Sequence, residues 1–264
     1  MENPVKNSFY AKEKIRAPFA WVGGKSRLAS QITEIFPAHT SYIEVFGGAL
    51  SVFYAKRKSK IEILNDINSD LINLHRIIKT RPASLTAEIN TMLKSRELFY
   101  NIKFKKIKPR SDIQRAAFYY YLISLSFGAK TENFAMSKCV RSSKNIYKDF
   151  MLYSKRLKTA VIENMSYEKL IKEYDNKEAL FYVDPPYVGT EKYYKTPNGF
   201  NMNDHINLAD ILKNIKGKFV LSYNDCEVVR DLYKDFKIKR IKTKYSLNAA
   251  SKSRSVNELI ITNY

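Results

Sequence analysis

Phe181-Tyr182-Val183 runs into Asp184, and Pro185 and Pro186 then remove two successive backbone donors, so a sheet ladder cannot continue past them. A carboxylate is left at the open end of a buried strand, with Tyr187 just beyond it. A chain built this way needs a sheet whose strand ends are free to receive a ligand, and an open α/β sheet offers that at the carboxyl ends of its strands. An ordinary Asp-Pro turn is the commoner fate of that dipeptide. The tetrad Asp184-Pro185-Pro186-Tyr187 is far rarer, and the flanking chain decides between the two readings.

The flanking chain repeats the strand-then-turn pattern. Ser41 to Val45 reads as a strand, Phe46-Gly47-Gly48 as a tight turn, the stretch to Arg57 as a helix, and Ile61 to Leu64 as a second strand ending at Asn65-Asp66. A strand, a glycine turn and a helix, with an acidic residue about 20 positions on, is the layout that binds an adenosine moiety. Gly47 and Gly48 let backbone approach a ligand, and Asp66 is placed to accept hydrogen bonds from ribose hydroxyls. The GxGxxG fingerprint is absent, so a dinucleotide is not favoured. Upstream, Trp21-Val22-Gly23-Gly24-Lys25-Ser26 is a glycine turn opening a helix from Arg27 to Phe36, whose first N–H groups and Lys25 could meet an anion. Phe19 stands where a GxxxxGK[ST] phosphate loop needs glycine, so a carboxylate or other small anionic group fits better. A plain helix-entry turn with a surface lysine is the alternative.

Strands are expected again at Val161-Ile162, Ala179 to Val183, Phe219 to Tyr223, Ile238 to Tyr245 and Glu258 to Thr262, with helices between. The alternation predicts α/β architecture. Residues 83 to about 110 read as helical and basic, with Phe99, Tyr100 and Phe104 among the lysines, a mixture that suits nucleic acid. Ile113 to Ser126 is a helix whose Tyr119, Tyr120 and Tyr121 read as core. The polar stretch 127–148, with Lys130, Lys138, Arg141 and Lys144, is too long for a simple connection and is expected to enter a DNA groove. Val188 to Asn203 is long enough for a lid, and residues 1–17 read as a surface arm.

Against 26 acidic side chains the chain carries 46 Lys and Arg, a formal charge of +20, which points to a polyanionic partner with nucleic acid first. An AT-rich genome would account for part of the lysine excess. No run approaches the ~18 apolar residues of a spanning helix, and the first residues hold no apolar signal core. A cytoplasmic, intracellular protein without a membrane partner is expected. Cys139, Cys226, His39, His75 and His205 are scattered without metal-ligand spacing, so no metal is expected.

Set side by side, the segments FAWVGGKSRL (19–28), YIEVFGGALSVF (42–53), LNDINSDLINLH (64–75), FYVDPPY (181–187), FVLSYND (219–225) and RSVNELIITNY (254–264) resemble, in order, the Dam-type or D12 class of DNA adenine N6-methyltransferases. One motif would be weak evidence; six in order are strong. The resemblance implies a Rossmann-like, mostly parallel methyltransferase sheet with its final strand antiparallel. It implies a catalytic domain of residues 1–80 and 155–264 and an inserted, mainly helical target-recognition domain of residues 81–154. It also implies S-adenosyl-L-methionine as cofactor, held by Trp21, Lys25, Glu44, Phe46, Gly47, Gly48, Asp66, Ile67 and Asp184, with Lys25 facing the methionine carboxylate.

On the same resemblance Asp184, Pro185, Pro186 and Tyr187 carry catalysis. Adenine N6 is a poor nucleophile because its lone pair is delocalised into the ring. The Asp184 carboxylate and the Pro185 carbonyl would each accept an N6 hydrogen bond, Tyr187 would stack on the flipped base, and transfer would be direct and in line. Lys130, Lys138, Arg141 and Lys144 would contact double-stranded DNA, and a separately acting cognate restriction endonuclease fits a restriction-modification role. Cytosine N4 enzymes more often carry Ser-Pro-Pro, and protein-glutamine enzymes Asn-Pro-Pro-Tyr; Asp184 disfavours both. An RNA adenine methyltransferase, or a basic DNA-binding protein with a dead site, is the alternative. The segment SFGAKTENFAMSKCVRSSKN departs from the Arg-x-Asn…Gly-x-Phe-Asn stretch of the GATC-methylating branch, which leaves GATC and another short target both open.

Overall fold

A computed structural model of the protein describes residues 15–135, 145–193, 199–245 and 254–264. The chain runs through α1 (Ala29–Glu34), β1 (Ser41–Glu44), α2 (Ser51–Ala55), β2 (Ile61–Asn65) and α3 (Ser69–Thr80). A helical layer follows, α4 (Pro82–Asn90), α5 (Arg96–Lys103), α6 (Asp112–Leu125) and α7 (Met151–Leu157), before β3 (Val161–Glu163). The rest is α8 (Tyr167–Tyr174), β4 (Ala179–Val183), α9 (Met202–Asn214), β5 (Lys218–Asn224), α10 (Glu227–Leu232), β6 (Lys237–Tyr245) and β7 (Arg254–Thr262).

The strands form one sheet in the order β3-β2-β1-β4-β5-β7-β6. The first five run parallel, and β7 is antiparallel to both of its neighbours, so the sheet is Rossmann-like with an antiparallel final strand. From β1 the chain moves outward to β2, while β4 returns on the other side. The strand order therefore reverses between β1 and β4, and an open α/β sheet leaves its ligand crevice at that point. Glu44 and Asp184 stand at the two strand ends beside it.

Every residue of β1 and β4 is buried, because helices cover both sheet faces. Side chains alternate between the faces. Tyr42, Leu64, Leu180, Tyr182 and Val220 join one buried cluster with α1 to α7, while Ile43, Ile63, Phe181, Val183 and Leu221 join the other with α8, α9 and α10. Burying each such side chain stabilises the fold by about 1.5–3 kcal/mol, and here that burial also fixes which strand end faces which layer.

Several expectations are corrected. Residues 83–110 are helical up to Lys103, in two helices, and not beyond it. The Ser95 hydroxyl caps α5 by accepting from Leu98 N, while the Tyr121 hydroxyl accepts from Ser95 N and donates to Leu93 O, which separates α5 from α4. Tyr120 and Tyr121 are core, but Tyr119 is not: its hydroxyl accepts from Asn68 Nδ2 at 2.8 Å. Ile15 and Ala17 pack on the core, so the end of the expected arm belongs to the body of the protein, while residues 1–14 lie outside the described residues. The stretch 127–148 is tied down at both ends, by a bridge between Ser126 and Phe134 and by fully buried Ile146. Lys138, Cys139, Arg141 and Lys144 lie outside the described residues, as do 194–198 of the expected lid and 246–253. Helix α9 starts at Met202, inside the stretch expected as a lid, where Asn201 and Asp204 form a capping box. No described helix is long and apolar enough to cross a membrane.

Candidate active site

The glycine turn after β1 is fitted to its surroundings by contacts on both sides. Gly47 N donates to Asn65 O at 2.7 Å, and a Cβ on Gly47 would lie 2.8 Å from that same oxygen. Gly48 has φ +50, and a Cβ there would lie 2.7 Å from the Trp21 indole. Bare backbone at Gly48 thus forms a floor beneath Trp21, while Gly47 packs on the end of β2. Below them His75 is buried with its Nε2 at 2.8 Å from Gly48 O, and since a carbonyl only accepts, Nε2 carries the proton. Burial holds the His75 pKa down at about 4, leaving the ring neutral.

Asp66 closes this turn from β2. Its Oδ2 accepts from Gly48 N at 3.0 Å and its Oδ1 from Asn68 N at 2.9 Å. Burial raises its pKa, while those backbone donors oppose the rise. Asn68 also caps α3 and reaches Tyr119, which links the acid of the glycine turn to α6.

The tetrad follows β4. The Lys25 ammonium, 4 % exposed, lies 2.8 Å from Asp184 Oδ1, 2.9 Å from Oδ2 and 2.8 Å from Gly23 O, and 4.7 Å from the centre of the Tyr187 ring. Lys25 therefore turns onto Asp184 and does not stand at the first turn of α1, which begins only at Ala29. Ser222 of β5 donates to Asp184 Oδ1 at 2.9 Å. Burial pushes the Asp184 pKa up, with Lys25 and Ser222 opposing. Tyr187 lies against Tyr223 at 5.7 Å between ring centres. Tyr223 is bonded in turn to His205 Nδ1, and His205 Nε2 meets Glu191 of the loop after the tetrad at 3.0 Å. Glu44 is buried beside them, and burial raises its pKa to about 8 although the Tyr42 hydroxyl donates to it at 2.7 Å.

One cavity of about 1050 Å³ joins these parts. All nine residues expected around the cofactor line it, as do Pro186 and Lys130. Pro185 and Tyr187 do not; Pro185 is buried and Tyr187 half-buried behind the wall. On the helical-layer side the wall includes Lys103, Lys105, Lys108, Arg115 and Tyr119. Lys103 and Arg115 are paired with Glu132 and Asp70, while Lys105 takes a left-handed φ of 57 that a non-glycine residue rarely adopts. Phe200 closes another side, 6.0 Å from Phe46 and 4.9 Å from His205. Sequence reasoning missed Ser222, Tyr182, His75, Tyr119 and the pair Glu191 and His205. A serine inside the apolar run Phe219-Val220-Leu221-Ser222-Tyr223 was the one available signal. Among the described residues, no group of His, Cys, Asp and Glu side chains has the arrangement of a metal site.

Known proteins resemble this chain over most of its length. The model of the D12 class of N6 adenine-specific DNA methyltransferases matches residues 21–247. The chain is 30% identical to the type II methyltransferase M1.LlaDCHI of Lactococcus lactis subsp. cremoris, over 96% of this chain and 98% of that protein. It is 28% identical to a DNA adenine methylase of Haemophilus influenzae, over 98% of each chain, and 27% identical to that of Escherichia coli K12, over 94% of this chain and 95% of that one.

Proposed function

The chain belongs to the D12 class of N6 adenine-specific DNA methyltransferases, and on that premise we propose that it methylates adenine N6 within a short sequence of double-stranded DNA, using S-adenosyl-L-methionine and a base flipped from the duplex. The observation that carries the reading is the meeting of Asp184 with the glycine turn and Asp66 around one cavity.

The residues present fit the cofactor. Bare backbone at Gly47 and Gly48 lets the turn pack directly on Asn65 and on the Trp21 indole, which brings Trp21, the turn and Asp66 onto one cavity wall, and each Asp66 oxygen takes one backbone N–H and keeps a second lone pair for a ribose hydroxyl. When bound, S-adenosyl-L-methionine supplies a methyl group made electrophilic by its sulfonium. Lys25 orients the Asp184 carboxylate at one end of the cavity and offers its charge to a carboxylate there. Phe46 and Ile67 supply apolar wall on which a base can lie.

Asp184 and the Pro185 carbonyl each accept a hydrogen bond from the target N6, drawing its lone pair out of conjugation. Phe200 and Tyr167, 6.0 Å apart between ring centres, give the cavity an apolar side that favours the base over water. Tyr187, which lies behind the cavity wall between Tyr223 and the Lys25 ammonium, offers its ring to the flipped base once it turns toward the cavity, and stacking worth about 1–3 kcal/mol offsets much of the unstacking cost. Residues 81–154 form the target-recognition part of the molecule, where Lys130, Lys138, Arg141 and Lys144 meet phosphates. A cognate endonuclease acting separately is compatible with a restriction-modification role.

Labelled methyl donor and Asp184→Asn test the reading. The variant should stay folded and lose methyl transfer to duplex DNA by a factor of roughly 100 or more, since an amide no longer supplies a charged acceptor. Undiminished transfer would remove Asp184 from the chemistry. Offering duplex DNA and RNA together, and mapping the modified positions, separates the DNA reading from an RNA one and reads out the target sequence.

A further inference from the structure

Asp184 is held from two directions by groups of different kinds. Lys25 takes both carboxylate oxygens with one ammonium at the end of a flexible side chain. Ser222 approaches from inside the sheet, where β5 is fixed by its ladders to β4 and β7. The geometry points to Ser222 as a positioning residue for methyl transfer, which, together with Tyr182, sets the rotation of the Asp184 carboxylate and keeps it an ionised acceptor for the target amine. This rests on the reading of Asp184 as that acceptor.

Counting protons determines the direction of every bond. An ionised carboxylate has none to give, so the single Ser222 hydrogen points at Asp184 Oδ1, 2.9 Å away. Ser222 Oγ must then accept from the Tyr182 hydroxyl at 3.0 Å. Ser222 and Tyr182 are 0 % and 1 % exposed, so no bulk water competes for either bond. Burial raises the Tyr182 pKa well above that of an ordinary tyrosine, so its phenol stays a donor wherever the enzyme is folded. The chain Tyr182 to Ser222 to Asp184 therefore has one polarity, and it ends on the carboxylate. A donor built on two adjacent strands fixes an angle that the lysine alone cannot. The other ionisable groups acting on Asp184 or standing beside it are Lys25, Tyr182, Tyr187, Tyr223 and Glu44; the Tyr187 hydroxyl is a further neutral donor to the carboxylate, but it sits on the loop after β4, whereas Ser222 is held within the ladder of β5.

The test uses the full chain with Ser222→Ala, Ser222→Thr, Tyr182→Phe and the double variant Ser222→Ala with Tyr182→Phe, beside Asp184→Asn. Transfer of labelled methyl to duplex DNA is followed across the acid limb of the pH profile, and S-adenosylhomocysteine binding is measured by calorimetry. Loss of a neutral donor to a charged acceptor should lower kcat for Ser222→Ala roughly 10- to 100-fold. KM for DNA and affinity for S-adenosylhomocysteine should hold, and the acid limb should move to higher pH because the carboxylate has lost a donor. Ser222→Thr should keep the rate. Tyr182→Phe should give a smaller shift in the same direction, and the double variant should be no worse than Ser222→Ala, because Tyr182 acts through Ser222. An unmoved acid limb in both Ser222→Ala and Tyr182→Phe, with Asp184→Asn inactive, overturns the positioning role and leaves the reading of Asp184 standing. A rate loss in Ser222→Ala matched by lost cofactor-product affinity and lower melting temperature, with the limb in place, also overturns it, by showing a packing role. An active Asp184→Asn overturns both. If Ser222→Ala does not fold, Tyr182→Phe decides alone by the presence or absence of the shift.

Discussion

Gly47 and Gly48 are neighbours in one turn, yet the contacts around them predict that a methyl group on each will damage different properties. At Gly47 the new Cβ would lie 2.8 Å from Asn65 O and 3.0 Å from Leu50 Cδ2. Asn65 O belongs to β2 and already takes the Gly47 N–H at 2.7 Å, so relief requires the ends of β1 and β2 to separate. Forcing such an atom into a packed site costs about 1–3 kcal/mol, which in a domain of this size lowers the melting temperature by roughly 2–4 °C per kcal/mol. At Gly48 the Cβ would instead meet Trp21 Cδ1 at 2.7 Å, the flank of a half-buried side chain that can swing away, while φ +50 adds strain of about 1–2 kcal/mol. Trp21 swinging out opens the roof of the proposed cofactor pocket. Calorimetry with S-adenosylhomocysteine and thermal melts of both variants separate the two effects. Gly47→Ala should lose the more stability, whereas Gly48→Ala should lose roughly tenfold or more in affinity with the smaller melting shift. Equal melting losses with unchanged affinity in Gly48→Ala would refute the assignment of Trp21 and the turn to one pocket.

His75 gives a pH dependence of definite sign. Its folded pKa of about 4 lies below the ordinary 6.5, so the folded state binds fewer protons; the contribution to stability is whole above pH 6.5 and is lost as pH falls toward 4. That window is worth about 3 kcal/mol for the one ring. Unfolding measured at neutral and acid pH should show His75→Gln losing less stability than the wild type on acidification, and equal losses would mean that another group titrates. At the cavity mouth, Lys105→Glu with Lys108→Glu should weaken binding to duplex DNA and reduce the slope of log affinity against log salt by about 1 to 2, with the melting temperature unchanged. An unaltered slope would place the DNA elsewhere.

The parts of the fold that repeat a local physical pattern were legible in the chain. The stretches 41–45, 61–64, 179–183 and 219–223 are dominated by apolar and aromatic residues and each became a parallel strand, because strands covered on both faces bury nearly every position and the few polar ones, Ser41, Glu44, Glu62 and Ser222, are buried too. Asp66 and Asp184 were legible for the same reason, each being the first charge after a buried run. What could not be read were contacts between residues far apart in sequence. Lys25 and Asp184 are separated by 159 positions, and nothing near Lys25 says that its ammonium meets a carboxylate before it meets a ligand. Tyr119 and Tyr120 are adjacent in an apolar helix, and only the packing of α6 over α3 turns one into the core and the other toward Asn68. The break between α4 and α5 depends likewise on Tyr121, a residue of a third helix.

The same limit explains how the tetrad is braced. In a strand, successive side chains take opposite faces, and the β4–β5 register sets Val183 opposite Leu221. The next two residues of β5 thus flank the chain leaving β4 from its two sides. Ser222, on the face shared with Tyr182, reaches the Asp184 carboxylate, and Tyr223, on the other, lies along the Tyr187 ring and is tied through His205 to Glu191. One pair of adjacent residues thereby supports both working ends of Asp184-Pro185-Pro186-Tyr187, the acceptor and the ring. A slip of β5 by one residue would exchange their faces and release both ends together. The core prevents that slip, because Leu221 and Val220 would have to trade the two buried clusters they occupy. The packing that holds the sheet together is therefore also what aims the carboxylate, which is why a serine is accommodated between Leu221 and Tyr223 in the buried part of β5.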